Sequence, residues 1–243
     1  MTLIIVSSDL SHKKDEQKKN AITRMDNAIY KIGFWSGLVA FVSTIGYDVV
    51  QILQLFGVFA SPLDAILIYG FSLCIVIPFL LEILVFHYAT PEGKKFWSHA
   101  ALIFTIIYAV FVTANYVVQL ATVIPAQMKG ASSEIRILEQ TPHSLFWDFD
   151  AIGYIFMGLT TLVAVPAFEK HGFDRWVRIS FLANALATPL IATVYFYPEY
   201  SERLLLLGFC WGITAPVSML MLAIMFFKKR NQQEPASIKL RLL

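Results

Sequence analysis

A chain of 243 residues that is 57% hydrophobic and only 15% charged departs from the roughly 45–50% and about 25% of an average soluble domain. Its twenty phenylalanines, ten tyrosines and five tryptophans leave too little polar surface to coat a water-soluble globule, so the apolar excess must face lipid. The formal charge of +2 is close to neutral, and Cys74 and Cys210 both lie inside apolar runs, which excludes a disulfide framework, a thiol redox centre and a cysteine-rich metal site.

Residues 1–28 read as a charged cytoplasmic tail. The opening Met-Thr-Leu-Ile-Ile-Val run is too short for a signal-peptide core and is followed, not preceded, by positive charge, so no cleaved signal is expected. Residues 11–20 carry both signs and suit a solvated tail, with docking of the lysines onto anionic headgroups as the alternative.

Six apolar stretches then follow, near residues 32–59, 63–86, 96–124, 151–168, 176–197 and 204–227. Each suffices to cross a hydrocarbon core of about 30 Å, which takes about 20 helical residues. In lipid every backbone amide needs a partner within its own segment, so continuous runs of this length must be helices; a barrel would show short alternating strands. The expected fold is therefore an all-α integral membrane protein, a six-transmembrane-helix bundle over residues 29–228, with a long outer loop at 126–147 and a cytoplasmic tail at 229–243.

Orientation follows from lysine and arginine. Sixteen of the nineteen lie in the N-terminal tail, between spans two and three, between spans four and five, or after span six; only Lys129, Arg136 and Arg203 fall on the opposite side. The positive-inside rule then puts both termini in the cytoplasm, with a plasma or bacterial inner membrane as the default location. The basic residues have no interleaved aromatics, so no nucleic-acid partner is expected.

Internal symmetry between spans one to three and four to six is too weak to use. Pro78, Pro166, Pro189 and Pro216 fall within or near the ends of spans two, four, five and six and predict local kinks, by packing tolerance or as hinges. Gly33 and Gly37 form a small-xxx-small pair that draws another helix close, either within the bundle or across a homodimer; the intramolecular use is preferred. In the long loop, Ile135 and Leu138 have the spacing of a short amphipathic turn, which suits a surface segment, a lid over a cavity or a mobile loop.

Polar side chains inside spans are costly and count as functional candidates. Span one supplies Asp48, Gln51 and Gln54 beside Tyr47; span three supplies Asn115 and Gln119 with Tyr116 and Thr122; span four opens with Asp148 and Asp150, followed by Tyr154. At 1.5 Å per residue Asp48 lies about 24 Å and Asn115 about 28 Å from the cytoplasmic ends of their spans, while span four enters from outside, so all three groups share the outer half. Asp48, Gln51, Asn115, Gln119, Asp150 and Tyr154 are thus expected to line an outward-opening cavity among spans one, three and four, with Tyr47, Tyr116 and Trp147 adding aromatic surface for an amphipathic ligand. Asp48 has no basic residue in its own span; it must be protonated, hydrogen-bonded by amides, bound to a cation or hydrated. For Asn115 and Gln119 a purely structural hydrogen-bonding role is the competing reading. Glu82, near the cytoplasmic end of span two, is expected in a structural role at the interface, snorkelling or paired with Lys94 or Lys95. Asn184 with Thr188 and Thr214 with Ser218 suit packing.

No metal site or cofactor is implied. His12, His87, His99, His143 and His171 are scattered, without HxxxH or HExxH spacing, and there is no GxSxG, phosphate loop or GxGxxG. Two functions fit best. One is binding or transport of a small molecule, lipid or ion in the cavity, with Asp48 as its charged centre. The other is an intramembrane enzyme acting on a lipid-like substrate through paired carboxylates, with Asp48, Asp148 and Asp150 as catalytic candidates. A third is an assembly subunit whose polar residues contact partner helices.

Overall fold

The computed structural model describes residues 2–233; the rest of the expected C-terminal tail, including Lys239 and Arg241, lies outside the described residues. The described chain is helical, with no strand. Six long helices carry it: α1 (Thr2–Leu55), α2 (Leu63–Ala89), α3 (Lys95–Val118), α4 (Leu145–Ala164), α5 (Asp174–Phe196) and α6 (Phe209–Gln233). All six are long and apolar enough to span a membrane. The exposed side chains fit that setting: Ile32, Trp35, Val39, Val42, Ile45 and Val49 form an apolar stripe along α1, a surface suited to lipid rather than water.

Local chemistry sets the ends, and several differ from the sequence expectation: α1 runs from Thr2 through the stretch expected as a tail, and α6 begins at Phe209 rather than 204, after the short turns Glu202–Leu205 and Leu206–Gly208. α1 stops at Leu55, short of residue 59, because Gly57 adopts φ +67. Its N–H then bonds the Gln54 carbonyl at 2.9 Å while that of Val58 bonds Leu53 at 3.0 Å, the paired closure that a left-handed glycine allows. α4 begins at Leu145 rather than 151, because the Ser144 hydroxyl accepts the Trp147 N–H at 3.2 Å and caps the helix. Asp148 then sits in the first turn, where the helix dipole favours a carboxylate. Pro166 ends α4 in the tight turn Val165–Ala167, whereas Pro78, Pro189 and Pro216 lie inside α2, α5 and α6.

Each helix packs against its neighbours in sequence, and α6 closes back on α1, giving a ring of six alternating helices. The helix connections force this alternation, so the C-terminal ends of α1, α3 and α5 share one half of the bundle with the N-terminal ends of α2, α4 and α6. This half also carries the 126–147 loop and is called the loop side below; the other is the tail side.

Small residues set the closest approaches. A Cβ at Gly33 would meet Phe226 and Val85, and one at Gly37 would meet Glu82 and Ala223, so the small-xxx-small pair of α1 seats α2 and α6 of the same chain. Hydroxyls and one amide tie the other contacts: Thr105 and Thr160 join α3 to α4 at 3.1 Å, Asn184 donates to Thr161 at 3.3 Å, and Thr214 of α6 donates to Asn184 at 3.1 Å. The packing roles read for Asn184 and Thr214 take this form.

Glu82 departs from its expected place. It is fully buried on α2 and pairs with neither lysine: Lys94 instead bonds Glu169 at 2.6 Å and Lys95 lies 3.5 Å from Glu92. The Lys94 ammonium holds the Glu169 carboxyl below its ordinary range by donating to it. Glu82 faces into the ring because the stretch Ile75–Phe86 buries one helical face, and Glu82 falls on that face with Phe79, Ile83 and Phe86.

Candidate functional site

The loop side of α1 ends in Tyr47, Asp48 and Gln51, and these open onto a cleft of about 270 Å³. α1, α5 and α6 form its walls, with Tyr154 reaching in from α4. This differs from the cavity among spans one, three and four read from the sequence: α1 and α3 are not ring neighbours, so residues at the same height on them need not share a wall. Ile52, Ile191, Val194, Leu205 and Ile213 supply apolar lining, and Asp48 is the one acidic or basic side chain among the lining residues. Gly212 lies directly opposite; a Cβ there would sit 2.9 Å from Asp48 Oδ1.

The cleft floor is aromatic. Gln51 Nε2 donates to the Tyr47 hydroxyl at 2.7 Å, which is 3.0 Å from the Tyr154 hydroxyl. The Trp211 ring stands edge-on to both, with centroids 5.9 Å from Tyr47 and 4.8 Å from Tyr154. Beneath it Tyr47, Tyr108, Tyr116, Asp150, Tyr154 and Trp211 enclose a second cavity of about 20 Å³, room for about one water. The buried Trp211 Nε1 has no hydrogen-bond partner in the protein.

Asp150 anchors the other half of the site. It is buried on α4 and accepts three hydrogen bonds: from Tyr116 of α3 at 2.6 Å, from Tyr195 of α5 at 2.5 Å and from Gln140 of the loop at 3.0 Å. Gln140 is one of three site residues, with Tyr195 and Trp211, that the sequence did not single out. Its Oε1 accepts from Asn115 Nδ2 at 3.0 Å, while Gln119 donates to the Leu138 carbonyl at 2.8 Å and accepts the Gln140 N–H at 3.3 Å. The loop therefore inserts residues 138–140 into the bundle and engages Asn115 Nδ2 and both polar atoms of Gln119, while the buried Asn115 Oδ1 has no protein partner. The α3 backbone makes room by a wide turn at Gln119–Val123, a feature that often accompanies functional positions in helices.

The predicted residues thus fall into two linked sets. Tyr47, Asp48, Gln51 and Tyr154 line the cleft; Asn115, Tyr116, Gln119 and Asp150 hold the loop and the buried cavity. Tyr154 joins them, its ring 5.7 Å from that of Tyr195. Asp148 and Thr122 are exposed and join neither set. Gln54 lines the cleft while donating to Asp64 at 2.8 Å, and Trp147 stacks on Tyr195 at 4.5 Å. Tyr195 and Trp211 were also missed. The height arithmetic that placed Asp48 puts both at the same level, but aromatics near span ends read as interfacial anchors.

Accessibility separates the two sets and gives a direct check. Gln51 is exposed and Gln119 is buried beneath the loop. In membranes, Gln51→Cys is expected to react with an impermeant thiol reagent added on the loop side, and Gln119→Cys to resist it. Equal reaction at both would show that residues 138–140 do not seal α3. Comparison of the chain with protein-family models, with curated proteins and with solved structures yields no match.

Proposed function

We propose that the chain is a multi-pass membrane protein whose Asp48 cleft binds, and carries across the membrane, a small organic cation with apolar substituents. One observation carries the reading: a half-buried carboxyl is the sole acidic or basic group lining a cleft otherwise built of aromatic, aliphatic and amide side chains. Such a site lacks a countercharge, and a ligand ammonium supplies one. The faces of Tyr47, Tyr154 and Trp211 attract the same charge, while the aliphatic walls accept its alkyl groups. On the distribution of lysine and arginine, the cleft opens outward.

The paired-carboxylate enzyme reading has less support. Acid–base chemistry needs a carboxyl free to reach substrate, yet both Asp150 oxygens are engaged by the protein and Asp148 is exposed away from the cleft.

Equilibrium binding of radiolabelled tetraethylammonium to the purified full-length protein in nanodiscs tests the proposal, with benzoate as an anion of comparable bulk. Saturable binding of the cation and none of benzoate is expected. Binding of benzoate alone, or of neither, rejects the cation site; an absence of both together with stable copurification of another membrane protein would favour the subunit reading.

A further inference from the structure

Among the described residues Glu82 is the one fully buried carboxyl that nothing engages. It is 0% exposed, and neither of its oxygens has a hydrogen-bond partner. It lies seven residues inside the tail-side end of α2, a depth of about 10 Å at helical rise. Gly37 of α1 and Ala223 of α6 close over it: a Cβ added at Gly37 would run into Glu82 Oε1 and the Ala223 methyl. On its own helix Pro78, Phe79, Val85 and Phe86 share its face. Among the described residues no charged or titratable group from any neighbouring element acts on it. Intramembrane carboxyls are rare and mark proton or ion pathways by default; one this enclosed holds its proton until the packing around it changes.

The same two helices clamp both Glu82 and the cleft. Eleven residues separate Gly37 from Asp48 on α1 and, likewise, Gly212 from Ala223 on α6, about three turns that return each pair to one face. Between them Thr44 donates to the Met219 sulfur at 3.5 Å. At the loop side Gly212 abuts Asp48, and at the tail side Gly37 abuts both Glu82 and the Ala223 methyl; a methyl group added at either glycine would clash. The α1–α6 seam is therefore closest where it meets each carboxyl, so a movement of α6 against α1 alters the surroundings of Asp48 and Glu82 together.

We propose that Glu82 is a proton-exchange site coupled to the Asp48 cleft through the α1–α6 seam. Cation binding at Asp48 parts the seam and admits water to Glu82. A cation that reaches Asp48 from the tail side makes the carboxyl release its proton to tail-side water, and once the cation has left through the cleft to the loop side the carboxylate takes a proton from loop-side water, so one organic cation moves toward the loop side against one proton moving toward the tail side. The proposal rests on the cation reading of the cleft, and the experiment separates the two.

Full-length protein in liposomes is assayed with radiolabelled tetraethylammonium in two ways: exchange of labelled for unlabelled cation, and accumulation driven by an imposed pH gradient. The wild type is expected to do both. Glu82→Gln is expected to keep exchange within about twofold and to lose accumulation by about tenfold or more, since a neutral amide packs similarly but carries no exchangeable proton. Accumulation equal to wild type in Glu82→Gln overturns the proposal, as does loss of exchange with cation binding retained. Should Glu82→Gln bind no cation at all, Glu82→Asp decides: restored accumulation supports proton exchange, and its absence overturns it. If instead wild-type protein neither binds nor exchanges the cation, the cleft reading itself fails; Glu82 modification by dicyclohexylcarbodiimide, expected in wild type and absent from Glu82→Gln, then stands as evidence of a protonated site without the coupling.

Discussion

Asp48→Asn is expected to weaken tetraethylammonium binding by about 10- to 100-fold, roughly 1.4 to 2.8 kcal/mol. Two unit charges 4 Å apart interact by about 4 kcal/mol at an effective dielectric of 20. Asp48 is half-exposed at the cleft, so water screens part of that attraction and the smaller range applies. Asparagine keeps the shape and one acceptor oxygen, so the walls formed by Tyr47, Trp211 and Ile213 remain and the loss reports charge alone. Asp48→Glu keeps the charge on a longer arm and is expected to fall between the two, because Gly212 already crowds the shorter carboxyl. Titration by radioligand binding measures all three. Wild-type affinity in Asp48→Asn would remove the charge from the recognition and leave the aromatic floor as the sole determinant.

Asp150→Ala is expected to be the most destabilising change on the loop side, costing about 3 to 5 kcal/mol as the sum over the donors it strands. The carboxyl is the shared acceptor for Tyr116, Tyr195 and Gln140, so its removal strands three donors, two of them on buried tyrosines. A buried donor without an acceptor costs about 1–3 kcal/mol, and water entering the vacated space recovers part of the sum. The same residue ties α4 to α3, to α5 and to the loop, so the loss is expected to propagate: Gln119→Cys, protected in the parent, should become reactive in this background. Asp150→Asn retains one acceptor oxygen but turns an amide donor toward other donors, and an intermediate loss is expected. Thermal unfolding in detergent measures the order of the three proteins. A loss below about 1 kcal/mol in Asp150→Ala would mean that the tyrosines find other acceptors and that the loop is held elsewhere.

The two carboxyls have opposite environments for a reason visible in their neighbours. Asp150 collects donors from three separate elements and is fixed by them, which suits a structural centre. Asp48 has only the cleft before it and glycine behind, which suits a ligand. The sequence placed both acids at the same height and in one cavity, with Asp48 as its charged centre.

The number of spans, their helical form and the height of each polar residue were determined by the sequence alone. Lipid makes internal hydrogen bonding compulsory and fixes the length of a crossing, so alternating direction and 1.5 Å per residue place Asp48, Asn115 and Asp150 at one level without tertiary information. Rotation and adjacency are different quantities. A transmembrane helix is apolar nearly all round, so its sequence underdetermines which face meets which neighbour; close contacts at Gly37, Gly212 and similar positions decide it. Only the closed ring therefore separated α1 from α3, moved the cleft to α1, α5 and α6, and turned Glu82 from an expected interfacial residue into a buried one. The loop was still less legible. Gln140 lies outside any periodic pattern, and its place between Asn115 and Asp150 depends on the packed bundle offering a donor and an acceptor at the spacing of one amide.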